Sequence, residues 1–145
     1  MKNNEYYPVI IALLEVDADL KKITMLFSKF EIKFLDLVDF CKKFPDDKIF
    51  NKKMLENKNI ENIRIDVGTL YYPDFDYTID PFSIYDNSQK SDFKSEYLQT
   101  IRKIKGITQK DLAKKIKIEP AELSKVETGK INNIQIVSKA LTYLL

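Results

Sequence analysis

The sequence predicts a mainly α protein: a small α+β domain over residues 1–85, a linker over 86–95 and a C-terminal bundle of about four helices over 96–145. Three observations carry this reading. After Ser95, helix punctuation recurs at short intervals, with Gly106, Thr108, Pro120 and Gly129 separating apolar, helix-periodic segments. Before it, Asp86-Asn87-Ser88-Gln89-Lys90-Ser91-Asp92 is polar and aperiodic. Charge is also divided: residues 1–95 hold 14 Lys and Arg against 17 Asp and Glu, whereas residues 96–145 hold 10 against 5. A compact basic segment beside a slightly acidic one suits contact with a polyanion.

Val9-Ile10-Ile11-Ala12-Leu13-Leu14 is apolar without a clear period, so helix and buried strand compete. Pro8, acceptable in a first helical turn, tips the expectation to helix. The run is too short for a secretory h-region or a membrane span, and no leader is expected at Met1–Glu5. Asp17 or Asp19 can cap the next segment, where Leu20, Ile23, Phe27 and Phe30 share one helical face. Ile32 to Phe44 fits a helix (Leu35, Val38, Cys41) or a strand (Ile32, Phe34, Val38, Phe40). The helix is favoured, ending before the acidic turn Pro45-Asp46-Asp47. Ile63 to Tyr72 alternates as a strand, with Ile63, Ile65, Val67 and Tyr71 on one side and Arg64 and Asp66 on the other.

Tyr71 to Tyr85 follows, with six aromatic residues and three aspartates in fifteen, and no Lys or Arg stands between Arg64 and Lys90. Its aromatics can fill the core of the α+β domain. Alternatively Tyr72, Asp74, Phe75, Asp76 and Tyr77 form a surface that docks a basic protein partner.

In the C-terminal segment Ser95 is placed to cap a first helix, whose stripe is Tyr97, Leu98, Ile101 and Ile104, with Gly106 ending it in a left-handed conformation. Thr108 caps a second helix, Asp111 completing a capping box. Leu112, Ala113 and Ile116 face inward, Ala113 being small where two helices must approach closely. The chain turns at Lys117-Ile118, with Ile118 buried. Pro120 suits the first position of a third helix, because no amide bond is lost there. Leu123 and Val126 turn inward and leave Ala121, Glu122, Ser124 and Lys125 outside. Gly129 ends that helix. A fourth is expected with Ile134, Val137, Leu141 and Leu144 as its apolar face, and no separate fifth. Two short helices around a tight turn, the second with a basic outer face, is the geometry that lays a helix in the major groove.

Composition removes most enzyme classes. The chain has no histidine, one cysteine (Cys41) and three glycines. Histidine acid–base chemistry, Ser-His-Asp triads, Cys- or His-ligated zinc, disulfides and glycine-rich phosphate loops are thereby excluded. No spacing of Asp, Glu, Lys or Tyr points to a catalytic pocket, and neither cofactor nor metal is expected.

Gly106-Ile107-Thr108-Gln109-Lys110-Asp111-Leu112-Ala113-Lys114-Lys115-Ile116, followed by Leu123-Ser124-Lys125-Val126-Glu127-Thr128-Gly129-Lys130, resembles the Cro/repressor (XRE) family of helix-turn-helix domains. The resemblance covers about a third of the chain without a gap. It implies a lambda-repressor-like bundle that binds double-stranded DNA, commonly as a homodimer. Carried over, it places Gln109 on a phosphate or nearby base edge. Pro120, Ala121, Glu122 and Lys125 take the groove-facing positions, and Lys130 takes a phosphate. Glu127 is implied to bond inside the module. Lys125 suits guanine O6/N7 and Ala121 a thymine methyl. Arg102, Lys103 and Lys105 can add backbone contacts, which fix register without reading sequence. Lys110, Lys114 and Lys115 read as a solvated face. Glu119 and Glu122 depart from the expected tone, since a carboxylate near the groove repels phosphate unless it accepts from cytosine N4.

Proteins pairing this domain with another resemble phage-type repressors, antitoxins that silence their own operon, or phage-encoded inhibitors such as anti-CRISPRs. The expectation is a cytoplasmic, sequence-specific transcriptional regulator. The domain over residues 1–85 is expected to dimerise or to bind a protein partner, the exposed C-terminal leucines being the alternative place for dimer contact.

Overall fold

A computed structural model describes residues 8–144; the expected lack of a leader at Met1–Glu5 concerns residues outside that range. The chain divides into two compact units, Met1–Ser91 and Asp92–Leu145.

The first unit is α+β, and it opens with strands rather than the expected helices. β1 (Ile10–Asp17) and β2 (Lys22–Phe27) form an antiparallel hairpin. Asp17 does cap its neighbour, but as a turn: its Oδ1 accepts from Leu20 N at 2.9 Å, and Lys21 takes φ 54° to close the hairpin. Tertiary pairing overrides the 3–4 spacing of Leu20, Ile23 and Phe27. Ile23 through Phe27 are all buried, while Leu20 sits exposed in the turn. The segment expected as one helix from Ile32 is divided into β3 (Ile32–Asp36) and α1 (Leu37–Lys42). The division falls at Asp36, whose Oδ1 accepts from Asp39 N at 3.1 Å as an N-cap. After the acidic turn come α2 (Lys48–Met54) and α3 (Asn57–Glu61).

The strand expected over Ile63–Tyr72 is a hairpin, β4 (Arg64–Asp66) and β5 (Thr69–Tyr72). Val67 and Gly68 turn the chain with φ 49° and 75°, and Val67 is 93% exposed rather than on a buried face. A Cβ at Gly68 would lie 3.0 Å from Val9 Cγ1 in a left-handed conformation. Gly68→Ala is expected to cost about 1–2 kcal/mol, read as a lower urea midpoint at unchanged m. An unchanged midpoint would contradict this turn geometry.

β6 (Tyr77–Thr78) completes a three-stranded sheet β4-β5-β6. α4 (Pro81–Asn87) follows, capped by Asp80, whose Oδ2 accepts from Ser83 N at 3.0 Å. β7 (Gln89–Lys90) then pairs with β3, giving a second sheet of order β1-β2-β3-β7. Residues 86–91, expected as linker, therefore end a helix and supply a strand of the first unit, because Lys90 and Gln89 satisfy an open edge of β3. Ile23, Met25, Phe27, Leu35, Leu37, Ile60, Leu70, Tyr72 and Ile84 are fully or almost fully buried in one core.

The second unit is all helical: α5 (Tyr97–Ile104), α6 (Gln109–Ile116), α7 (Pro120–Glu127) and α8 (Ile134–Leu144). Leu98, Ile101, Leu112, Ala113, Leu123, Val126 and Ala140 are buried at 2% exposure or less. Ser95 does not cap α5; its backbone carbonyl accepts from Leu98 N and its hydroxyl turns to Glu96. Ile104 is 46% exposed and leaves the expected stripe, while Arg102 takes a place on it. α8 is rotated relative to expectation: Ile136, Ala140 and Leu144 are buried, and Ile134 is 78% exposed. No helix among the described residues is long and apolar enough to cross a membrane.

Candidate nucleic-acid interface

α6 and α7 owe their geometry to local chemistry. Thr108 caps α6, its Oγ1 accepting from Asp111 N at 3.1 Å. α6 ends at Lys117, which adopts φ 61°, ψ 49°, and Ile118 N then donates to Ala113 O at 3.0 Å. This left-handed residue turns the chain within two positions, and Ala113, with no exposed surface, lets the helices close together. Ile118 is half-buried. Pro120 occupies the first turn of α7.

The outer face of α7 carries Ala121, Glu122 and Lys125, all exposed. No hydrogen bond or ion pair engages the Lys125 or Lys130 amine among the described residues. The loop after α7 positions Lys130: Gly129 takes φ 75°, and the amides of Lys130 and Ile131 donate to Lys125 O at 2.9 and 3.2 Å. The two lysines are thus held at one end of α7 by the backbone itself. Lys103, on α5, and Lys105, just past its end, are exposed. Glu119 and Glu122 sit at the N-terminus of α7, where the helix dipole favours a carboxylate. That accounts for two acidic residues otherwise out of place on a surface expected to face phosphate.

Arg102 is not on this surface. It is 7% exposed, and its guanidinium forms a two-point pair with Glu127: Nε to Oε2 at 2.8 Å and Nη2 to Oε1 at 3.0 Å. Its Nη1 donates to Ile107 O at 2.9 Å. Burial of Glu127 at 2% exposure requires a cationic partner, and Arg102 supplies it. The expected phosphate contact from Arg102 is therefore corrected to an internal brace linking α5, the α5–α6 loop and α7. Gln109 joins the same cluster, its Nε2 donating to Glu127 Oε1 at 3.0 Å while the residue remains half-buried at the start of α6. The burial of Arg102 has a signal in the sequence: it stands four residues after Leu98 and next to Ile101, on the inward face of α5.

In the first unit the expected docking residues separate. Tyr72 has no exposed surface, and its hydroxyl donates to Met54 O at 3.0 Å. Burial raises its pKa, Cys41 and Tyr77 adding to the effect. It is a core residue, not a docking residue, because its ring fills the space between β5 and α2. Phe75 and Tyr77 are half-buried and stacked, with centroids 5.9 Å apart. Asp74 and Asp76 are exposed and accept from Asn62 Nδ2 and Tyr71 Oη at 2.9 and 2.8 Å.

Residues 98–141 match the helix-turn-helix family model. No curated protein matches the chain. Among solved structures, that of a Nitrosomonas europaea protein, NE0471, provisionally named as DNA-binding, is similar at 16% identity with a TM-score of 0.42, over 96% of this chain and 88% of that one. The C-terminal region of the chain is a helix-turn-helix of the Cro/repressor (XRE) type.

Proposed function

We propose that the protein is a sequence-specific regulator of transcription that binds double-stranded DNA through residues 96–145 and represses its own operon. The exposed outer face of α7, with Ala121, Glu122 and Lys125 projecting from a helix braced by α6, carries this reading. A helix so presented fits the major groove, Lys125 donating to guanine and Ala121 touching a thymine methyl. Gln109 and Lys130 flank it on the phosphates, and the excess of basic over acidic residues in this unit supplies attraction at long range. Ile134, Val137 and Leu141 leave an apolar strip on α8, beside Phe93, which suits a second copy of the chain and a two-fold operator. Footprinting on the protein's own promoter is expected to show a discrete protected site, and sedimentation of the complex two copies on it. Equal affinity for every duplex would refute sequence-specific regulation.

A second reading gives the first unit a protein partner, as in an antitoxin or an inhibitor whose helix-turn-helix serves autoregulation. The exposure of Asp74 and Asp76 in a stretch without Lys or Arg favours it. Co-purification of a basic neighbouring gene product with the full chain, lost when both aspartates are replaced by lysine, is the expected result. Retention by that double variant would refute it.

A further inference from the structure

Two carboxylates stand where α7 begins, on the unit proposed to meet phosphate. The helix dipole lowers their cost but engages none of their oxygens in a bond. Glu122 has two internal uses open to it by position. It is the third residue of α7, where a carboxylate can reach back to the amide of the residue before the helix. It also stands three residues before Lys125, a spacing at which ion pairs form. Neither use is taken: among the described residues the Glu122 carboxylate accepts no hydrogen bond and meets no cation, and the Lys125 amine is equally unengaged. Both side chains are exposed, and they lie about 60° apart around the helix axis. Glu119, six residues before Lys125, falls about 120° from it.

The two heads are opposite in hydrogen-bond character, since an ammonium only donates and a carboxylate only accepts. In the major groove guanine alone shows acceptors without a donor, at N7 and O6. Cytosine alone shows a donor without an acceptor, at N4. Adenine sets N7 beside its amino group and thymine offers O4 with a methyl, so a carboxylate meets a repelling lone pair at either.

We infer that Glu122 is a specificity-determining residue that accepts from cytosine N4, within one base step of the guanine held by Lys125. The inference rests on the proposed docking of α7 in the major groove and names the bases that docking selects. Cβ atoms three residues apart on a helix are about 5–6 Å apart. The rise between base pairs is about 3.4 Å, so side chains of this length span one step. On other sequences the carboxylate weakens binding, because phosphates repel it and no donor answers its charge. On cytosine a charge-assisted bond offsets that loss. Glu122 thus trades general affinity for discrimination.

The test uses the full chain on the duplex found by footprinting and on its single-base variants. The position whose preference Lys125→Ala erases locates the guanine. For the parent, replacing a cytosine within one step of it by thymine is expected to weaken binding about tenfold. Glu122→Asp keeps the charge at the helix N-terminus and withdraws the carboxylate by one carbon. It is expected to melt like the parent and to lose the cytosine preference. Glu122→Gln is expected to bind unrelated duplexes more tightly, its preference at that position moving toward adenine, to which an amide bonds at two points. Glu119→Gln, which removes the neighbouring carboxylate, is expected to leave every base preference in place. A carboxylate that serves only the helix gives a different pattern: Glu122→Asp and Glu122→Gln keep all base preferences, and Glu122→Gln melts lower. That pattern, or a parent indifferent to cytosine within one step of the guanine, overturns the inference while the docking stands. A parent without base preference anywhere overturns both.

Discussion

Glu127→Ala is expected to unfold the C-terminal unit at room temperature, although Glu127 is buried behind the exposed face of α7. Removing one member of a buried ion pair strands the other, and such losses run to about 3–5 kcal/mol. Here Arg102 would keep its charge at 7% exposure with only the Ile107 carbonyl opposite, and Gln109 would lose its acceptor. A core of this size supplies only about 3–5 kcal/mol in total. The loss therefore matches the whole stability of the unit. Amide NMR of the full chain should show signals of α5 to α8 collapsing while those of the first unit persist, and DNA binding should vanish with them. Arg102→Met combined with Glu127→Leu removes both charges and leaves no orphan, so the double variant is expected to be more stable than either Arg102→Met or Glu127→Leu alone. A Glu127→Ala protein within about 1 kcal/mol of the parent in urea would show that the pair does not brace the fold.

Why the second unit was legible and the first much less so follows from where their determinants lie. α6 and α7 are set by neighbours in sequence: Thr108 caps its own helix, Pro120 opens the next, and Gly106 and Gly129 stop theirs at positive φ. Each signal acts within four residues. The first unit is set by pairing across distance. Five consecutive buried residues, Ile23 to Phe27, erase the alternation that marks a strand, and the hairpin β1–β2 became visible only with its partner. Two local signals were nevertheless present. Asp36 is an N-cap three residues before Asp39, and Val67-Gly68 is a two-residue turn between apolar runs. The site shows the same division. Spacing put Lys125 on the outer face of α7, and the family resemblance singled out Lys130, whereas the pairing of Arg102 with Glu127 spans 25 residues and needed the fold.

The two lysines should respond differently to the same substitution. Lys125 projects from the face of α7 that the proposed docking turns to base edges, and its amine is held by nothing inside the protein among the described residues. Lys130 lies beyond Gly129, tied through its amide to Lys125 O, where a duplex backbone would pass. Lys125→Ala is expected to lose about 1–3 kcal/mol of discrimination at one base position and little on unrelated sequence. Lys130→Ala should weaken all duplexes alike and reduce the slope of log K against log salt by about one. Both residues are exposed, so neither variant should move the melting temperature, and loss of binding cannot be charged to unfolding as it can for Glu127→Ala. Competition binding against a library of single-base operator variants, repeated at several salt concentrations, separates the two effects. Should Lys125→Ala lower affinity uniformly, with the salt slope falling by one and base preference intact, Lys125 binds phosphate and the recognition face of α7 lies elsewhere.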